Sequence, residues 1–257
     1  MEDGIRVPRK PPFSAGPAPH PHRGDAHAEL LAARQVTVLV GARDARRGEE
    51  TAAAIRATGG DAHALELDVT APSTAQAAAS WIDDRFGRLD VLVNNAGITG
   101  SGQAAPQDAL DRVPSAVDVE LVREVFETNV FGVIHVTNAV LPLLRRSPAA
   151  RIVNLSSHAA SLALTAEVDG PLSGLPSAAY SPSKAALNAL TLQYANELRR
   201  ENILVNAAAP GYVDTDINGH SGFLTPAQGA AVVVRLATLG ADGPTGGFFS
   251  EDGPLPW

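Results

Sequence analysis

The sequence predicts a single-domain α/β protein built on a doubly wound parallel sheet. First, from about residue 26 onward, apolar runs rich in Val, Leu and Ile alternate with helical segments of about 10–20 residues, which is typical of βαβ units. Second, a length of 257 residues suits one large domain of this class. Third, 45% hydrophobic and 19% charged residues provide a sizeable core.

The first helix and strand show how the elements are assigned. In AHAELLAAR (26–34), Ala28, Leu31 and Ala32 recur at helical spacing, and VTVLV (36–40) is a β-branched run typical of a strand buried on both faces. The same patterns predict, in order, a helix over 44–58, a strand over 63–69, a helix over 72–87 that ends at Gly87, a strand over 89–97, a long helix over 118–146, a strand over 151–157, a helix over 180–199, a strand over 203–211, a helix over 226–239 and a short strand over 246–250. Pro142 is expected to kink or end the long helix, because proline has no backbone N–H.

Residues 1–25 differ from the rest of the chain. Six of the 19 prolines fall here, between basic residues and histidines, so the segment has too little apolar content to offset its ordering entropy. We expect an irregular segment over 1–25 and the α/β domain over 26–257. No metal site is expected at His20, His22 and His27, because no carboxylate or cysteine pattern accompanies them.

Composition argues against several classes of function. The net charge of −8 disfavours nucleic acid or an anionic membrane as the main partner. The absence of cysteine excludes disulfides and a cysteine nucleophile. The sequence has neither an apolar run of ~18 residues nor the apolar stretch of a signal peptide near its start, so we expect a cytoplasmic protein without a membrane partner.

The motif YSPSK (180–184) carries the clearest chemical signal. Tyr180 and Lys184 are four residues apart, so they share one face of the predicted helix, and Pro182 falls in the first turn, where proline is tolerated. A nearby ammonium lowers the pKa of a tyrosine from its free value of about 10, which makes a tuned proton donor or acceptor. Taken alone, the pair is more often a surface tyrosine and lysine on an amphipathic helix.

Three predicted strands end in residues suited to a ligand site. Ser157 ends RIVNLSS (151–157), NNAG (94–97) ends the preceding strand, and APGYVDT (209–215) follows the next one. Parallel strands place their carboxyl ends at one edge of the sheet, where α/β folds bind ligands. Ser157 could hydrogen-bond a substrate carbonyl there, or it could only cap the strand end.

These motifs, together with LDV (67–69) and TNVFG (128–132), resemble those of the short-chain dehydrogenase/reductase family, from about Ala28 to the C-terminus. The resemblance implies a single-domain Rossmann-like fold and hydride transfer between NAD(P) and an alcohol or carbonyl. Tyr180 would be the catalytic acid/base, and Lys184 would lower its pKa and hold the nicotinamide ribose. Ser157 would polarise the carbonyl, and Asn129 would anchor the water that relays protons to the lysine.

The resemblance also implies a cofactor site. Its residues would be Asn95, Ala96 and Gly97 at the adenosine ribose, Asp68 and Val69 at the adenine, and Pro210, Gly211, Val213 and Thr215 at the nicotinamide, with Tyr180 and Lys184 shared with the catalytic set. Alternatives remain for single residues. Asp68 could only cap a helix, Asn129 could only buttress one, and the Pro210–Gly211 pair could only turn the chain.

Cofactor preference can be inferred from the end of VTVLV. An NAD site has a carboxylate here that accepts from the ribose 2′-hydroxyl, whereas this chain has Ala42 followed by Arg43. A guanidinium can bind a 2′-phosphate in a bidentate manner, so Arg43 favours NADP(H) over NAD(H). The run GARDARRGEE (41–50) resembles that of NADPH-dependent carbonyl reductases in the family. Alternatively, Arg43 is one of several solvated charges in this run.

The opening motif of the family, T-G-x-x-x-G-x-G after a central strand, is not matched. Its third glycine falls on Gly24, but the second falls on His22 and the first on Ala18. Pro19 and Pro21 lack backbone N–H groups that would hold phosphate oxygens, and prolines within residues 9–16 oppose a central strand. We therefore expect this strand and the glycine loop to be missing or degenerate, which would leave a gap in the sheet.

Three hypotheses follow. The chain is an active NADP-dependent carbonyl reductase or alcohol dehydrogenase with an unusual loop, a non-catalytic relative, or an enzyme with a frameshifted or mis-started N-terminus and weak or no cofactor binding. The third explains best why every later motif is intact. Between Ser157 and Tyr180 lie 22 residues, with an extra piece around 165–174 that is expected to shape the pocket for a small carbonyl or alcohol. Because this piece could obstruct helix packing between subunits, both a homo-oligomer and a monomer stay open.

Overall fold

The protein is an α/β molecule with one continuous sheet. The structure, a computed structural model, describes residues 12–15, 24–100, 113–174 and 176–257. Within these ranges the strands are β1 (Pro12–Ala15), β2 (Thr37–Ala42), β3 (Asp61–Glu66), β4 (Val91–Asn94), β5 (Arg151–Leu155), β6 (Leu204–Ala208), β7 (Phe248–Ser250) and β8 (Gly253–Pro254). Their order is β3-β2-β1-β4-β5-β6-β7-β8, and each pairing is parallel except the last. The predicted doubly wound parallel sheet is confirmed.

Helices connect the strands and end where local chemistry favours it. The helices are α1 (Gly24–Ala32), α2 (Ala45–Ala57), α3 (Pro72–Phe86), α4 (Val119–Phe126), α5 (Gly132–Leu144), α6 (Leu162–Thr165), α7 (Tyr180–Leu198) and α8 (Pro226–Ala237). The Asp44 carboxylate caps α2, accepting from the Arg46 and Arg47 amides. Gly87, at φ +69°, ends α3 in the left-handed conformation, as expected for a C-terminal glycine.

The sheet separates two hydrophobic cores because successive residues of a strand point to opposite faces. On one face, Leu92 of β4 packs in the core that includes residues of α3, α5 and α7. On the other face, its neighbours Val91 and Val93 pack in the core formed with α1, α2 and α8. Helices on both faces leave the carboxyl edge of the sheet for the loops that carry the predicted site residues.

The central strand is present but degenerate. β1 lies between β2 and β4, where the sequence led us to expect a gap, so that part of the prediction is wrong. Its four residues belong to the 1–25 segment predicted as irregular. The register with β2 shifts between Pro12 and Ser14, and only Ala15 has a Cα partner in β4, Asn94. Pro12 is tolerated because it is the first residue of the strand.

The glycine motif and the prolines of the loop after β1 cannot be compared with the fold. Ala18, Pro19, Pro21 and His22 lie outside the described residues. Gly24, the glycine matched to the family motif, is the first residue of α1, so this helix begins two residues before the predicted start.

The long helix predicted over 118–146 is one helical stretch that a short π-helical segment interrupts. α4 is followed by a π-helical segment over Glu127–Phe131 and then by α5. Pro142 lies inside α5, and the helix continues beyond it to Leu144. Two short elements, α6 and β8, were not predicted because neither is long enough to show a periodic pattern.

Candidate active site

The tyrosine–lysine pair lies at the start of α7, directly beside the end of β5. Tyr180 is the first residue of the helix and is half-buried, whereas Lys184 is 4% exposed. The Lys184 Nζ atom lies 6.0 Å from the centroid of the Tyr180 ring, so the two side chains share one helix face as predicted. Nζ also donates a hydrogen bond of 2.7 Å to the Leu155 carbonyl oxygen. The ammonium is thereby fixed between the tyrosine and the strand end.

Asn129 joins this group through the π-helical segment. Its side chain is completely buried, and its Nδ2 atom donates to the Ile98 carbonyl oxygen and to Ser183 Oγ, at 2.9 and 3.0 Å. Its Oδ1 atom accepts from the Ile98 amide at 2.9 Å. The asparagine therefore links the loop after β4 to the first turn of α7. Isolated π turns in helices are frequent at functional sites, and no periodicity in TNVFG indicates this one.

The two serines at the end of β5 have different surroundings. Ser156 is buried, and its Oγ donates to the Asn188 Oδ1 atom at 2.6 Å. Ser157 is only half-buried, and its Oγ accepts from the Ala159 amide at 3.3 Å, capping a single 3-10 turn. The predicted residue is thus the more accessible of the pair. Burial lowers the pKa of the adjacent His158 below its ordinary value, against the smaller opposing influence of Asp252.

The loop after β4 has the features of a cofactor-binding loop. A Cβ atom on Gly97 would stand 3.2 Å from Lys184 Nζ and 3.4 Å from Asn129 Oδ1, so a side chain here would crowd both groups. Asn95 is 8% exposed, and its Oδ1 atom has no hydrogen-bond partner within the described residues. A buried acceptor of this kind fits a ligand hydroxyl such as that of a ribose. Ala96 beside it is buried.

Asp68 and Val69 lie between β3 and α3. The Asp68 carboxylate accepts from the Thr70 amide at 2.9 Å and from Thr70 Oγ1 at 2.7 Å, so it stabilises the turn that precedes α3. The backbone amide of Asp68 donates to Thr74 Oγ1 at 3.0 Å. The carboxylate therefore holds a turn and does not cap the helix, because the N-cap residue of α3 is Ala71 and has no side-chain cap bond. Val69 is buried against Gly132, where a Cβ would meet its side chain at 2.7 Å.

The loop after β6 is tightly folded around two predicted residues. Gly211 has φ +83°, a conformation that favours glycine, and a Cβ there would meet Leu224 at 2.6 Å. Val213 and Thr215 are buried. Asn218, which the sequence reasoning missed, supports both residues: Nδ2 donates to the Val213 carbonyl at 2.8 Å and Oδ1 accepts from the Thr215 amide at 3.3 Å. Pro210 precedes the turn and is also buried.

Arg43 is exposed immediately after β2. The other arginines of this region contact acidic side chains: Arg46 bonds to Glu50 at 2.8 Å, Arg47 lies 3.8 Å from Asp44 and Arg56 bonds to Glu49. Among the residues that the structure describes, Arg43 forms no such ion pair. Its guanidinium is therefore available to an anion at the edge of the sheet.

The described residues form neither a metal-ligand cluster nor a membrane-spanning helix. No group of three or more His, Cys, Asp or Glu side chains with metal-ligand placement occurs in the ranges given above. Over the same ranges, every helix is too short or too polar to cross a membrane. The extra piece around 165–174 forms short turns with mostly exposed residues, including Val168.

The fold is that of the doubly wound α/β proteins that bind nucleotides, and comparison with known proteins identifies the family. Residues 24–222 match the family model described as short chain dehydrogenase. The chain belongs to the short-chain dehydrogenase/reductase family. The match begins at Gly24, after the loop that lacks the glycine motif.

Relatives and solved structures support this assignment. The chain is 37% identical to short-chain dehydrogenase/reductase 1 of Saponaria officinalis over an alignment that covers 88% of this chain and 90% of that protein. It is 31% identical to carbonyl reductase (NADPH) 1 of Rattus norvegicus, over 86% of this chain and 88% of that protein. The structure of salutaridine reductase from Papaver somniferum superposes with a TM-score of 0.77 at 29% identity, covering 95% of this chain and 100% of that one.

Proposed function

We propose that the protein is an NADP(H)-dependent carbonyl reductase or alcohol dehydrogenase that uses Tyr180 as its acid/base. The observation that carries the proposal is the Tyr180–Lys184 pair, held against the end of β5 by the bond from Lys184 to the Leu155 carbonyl. Ser157 is two residues beyond that strand end, and Asn129 is bonded to the first turn of α7 through Ser183. This is the set of groups that a carbonyl reduction needs at one place.

Each residue has a role that its surroundings support. Bound NADPH would supply a hydride to the carbonyl carbon of the substrate. Tyr180 donates its phenolic proton to the carbonyl oxygen, which becomes the hydroxyl of the product. The Lys184 ammonium, which lies 6.0 Å from the centroid of the Tyr180 ring, stabilises the resulting phenolate. Ser157 donates a hydrogen bond to the same carbonyl oxygen, and Asn129 holds the water through which the proton on Tyr180 is replaced.

The cofactor would lie along the carboxyl edge of the sheet. Gly97 leaves room beside Lys184, and the unpartnered Asn95 oxygen would accept from a ribose hydroxyl. The backbone of Asp68 and Val69 would meet the adenine, and Pro210, Gly211, Val213 and Thr215 would hold the nicotinamide. Arg43 would bind the 2′-phosphate of NADP(H), for which its exposed guanidinium at the end of β2 is suited. The similarity to a relative named for NADPH supports this preference.

The alternative is an impaired or non-catalytic relative with weak or no cofactor binding. The specific observation that favours it is the short, irregular β1, which precedes the loop where the family binds phosphate. In either case we propose a cytoplasmic protein whose site takes a small carbonyl or alcohol. Both a monomer and a homo-oligomer are compatible with the exposed extra piece before Tyr180.

The experiment that tests the proposal uses the chain as given. NADPH and NADH are titrated separately by fluorescence, and their oxidation is followed with a panel of small ketones and aldehydes. Turnover with NADPH exceeding that with NADH supports the reductase. Absence of turnover together with absence of NADPH binding favours the impaired alternative. Turnover with NADH alone contradicts the cofactor assignment and leaves the reductase assignment standing.

A further inference from the structure

Helix α7 is bonded to three consecutive residues at the end of β5. Thr191 Oγ1 accepts from Asn154 Nδ2 at 2.8 Å, Lys184 Nζ donates to the Leu155 carbonyl at 2.7 Å, and Asn188 Oδ1 accepts from Ser156 Oγ at 2.6 Å. The next residue along the strand is Ser157. The bond that lies nearest to Ser157 along the chain is therefore the one made by Asn188.

Asn188 belongs to the same helix face as the tyrosine and the lysine. Tyr180, Lys184 and Asn188 are spaced four residues apart, so they follow one another along α7. Asn188 is 3% exposed, and its Nδ2 group has no hydrogen-bond partner within the described residues. A leucine at this position would avoid a buried amide without a partner. The single bond to Ser156 is thus what the asparagine contributes that an apolar residue would not.

Ser156 is held from two sides. Its backbone amide donates to the Ala208 carbonyl of β6 at 2.7 Å, while its side chain is bonded to Asn188 of α7. After it, the chain leaves the sheet: the Ala160 amide donates to the Ser157 carbonyl at 2.9 Å in the following 3-10 turn. Ser156 is therefore the last residue fixed to both sheet and helix before Ser157.

We propose that Asn188 is a positioning residue that holds Ser157 in register with Tyr180 and Lys184 by anchoring the Ser156 hydroxyl to α7. The expected fall in kcat rests on the proposed function. The expected change in amide exchange rests on the hydrogen bonds alone. Loss of the anchor lets the Ser156–Ser157 peptide shift while the tyrosine and lysine stay on their helix. The expected defect is in the chemical step and leaves NADPH binding intact.

The experiment compares Asn188→Leu and Ser156→Ala, which remove the bond from opposite ends, with Tyr194→Phe as the matched control. Tyr194 is a buried residue of the same helix whose Oη donates to Asn138 Oδ1 at 2.9 Å, a contact with α5 that does not involve β5. If Asn188→Leu does not fold, Ser156→Ala carries the test alone. Each protein is measured for NADPH dissociation constant, kcat, urea unfolding and amide hydrogen exchange at residues 156, 160 and 161.

We expect exchange at these three amides to be faster by roughly 10-fold or more in both test variants and unchanged in Tyr194→Phe. We expect kcat to fall by roughly 10-fold, with the NADPH dissociation constant within about twofold of the wild-type value. In the double variant Ser156→Ala/Asn188→Leu, which leaves neither polar group unpaired, stability should recover while kcat should not.

Two outcomes would overturn the proposal. One is unchanged exchange at residues 156, 160 and 161 in Asn188→Leu or Ser156→Ala. The other is recovery of kcat together with stability in the double variant, which would make Asn188 a purely structural residue. A wild-type protein without turnover, in which exchange still changes as expected, would support the anchoring of Ser157 and contradict the proposed function instead.

Discussion

The carboxyl ends of β4 and β5 contrast with β1 in how they are held. Side chains connect β4 to β5 through Asn94 and Asn154, and β5 to α7 through Thr191 and Lys184. β1 has an irregular register with β2 and a single residue partner in β4. The groups proposed for chemistry are thus held by contacts that do not involve β1. β1 meets this group of contacts only at Asn94, where Ala15 is its partner in β4.

The largest effect is expected at the catalytic end. Tyr180→Phe removes the proton donor and leaves the ring that faces Lys184, so kcat for carbonyl reduction should fall roughly 10²–10⁴-fold. NADPH affinity, measured by fluorescence titration, should change little. Tyr194→Phe, which removes a hydroxyl nearer the C-terminal end of the same helix, is the control and should retain its turnover. An equal fall in kcat in the two variants would contradict the assignment of Tyr180 as the proton donor.

The weaker pairing of β1 should be visible in solution. We expect backbone amides of β1 to exchange with solvent roughly 100-fold faster than those of β5, because β1 is short and its register is broken, whereas β5 is fully buried with parallel partners on both sides. Hydrogen exchange followed by residue-resolved NMR measures both strands in one sample. Protection of β1 equal to that of β5 would show that the two strands are equally ordered, which contradicts the prediction.

The sequence predicted most of the fold because buried strands and amphipathic helices have different periodicities. It also placed Tyr180, Lys184 and Ser157 near one another, since motifs at the carboxyl ends of parallel strands converge. It did not predict the strand over Pro12–Ala15, because prolines argue against a ladder and the neighbours β2 and β4 supply pairing that local pattern does not show. The π segment around Asn129 and the Ser156–Asn188 bond depend on tertiary contacts, which no spacing in the sequence encodes.

A smaller effect is expected from substitution of Arg43, which tests the proposed preference for NADPH. Arg43→Ala should lower kcat/KM with NADPH by roughly 10-fold and leave the value with NADH within about twofold, because only NADPH has a 2′-phosphate. Arg46→Ala is the matched control: it removes an exposed arginine of the same run that is paired with Glu50. If Arg46→Ala lowered the NADPH value as much as Arg43→Ala, the effect would be one of net charge and not of a specific contact.

The smallest effect concerns the free energy of unfolding at alkaline pH, through the Tyr194–Asn138 contact between α7 and α5. Burial raises the pKa of Tyr194 to about 12, while an unfolded tyrosine titrates near 10, so the fold favours the protonated phenol that donates to Asn138. The stabilisation is complete below about pH 10 and is lost as pH rises towards 12.

Relative to Tyr194→Phe, the wild-type free energy of unfolding should therefore fall by about 1 kcal/mol between about pH 9 and 11. Urea unfolding at the two pH values measures this difference, and Tyr212→Phe, at an exposed position, should behave as the wild type does. An equal decline in wild type and Tyr194→Phe would mean that the Tyr194 phenol ionises at the same pH in the folded protein as in the unfolded chain, which contradicts the prediction.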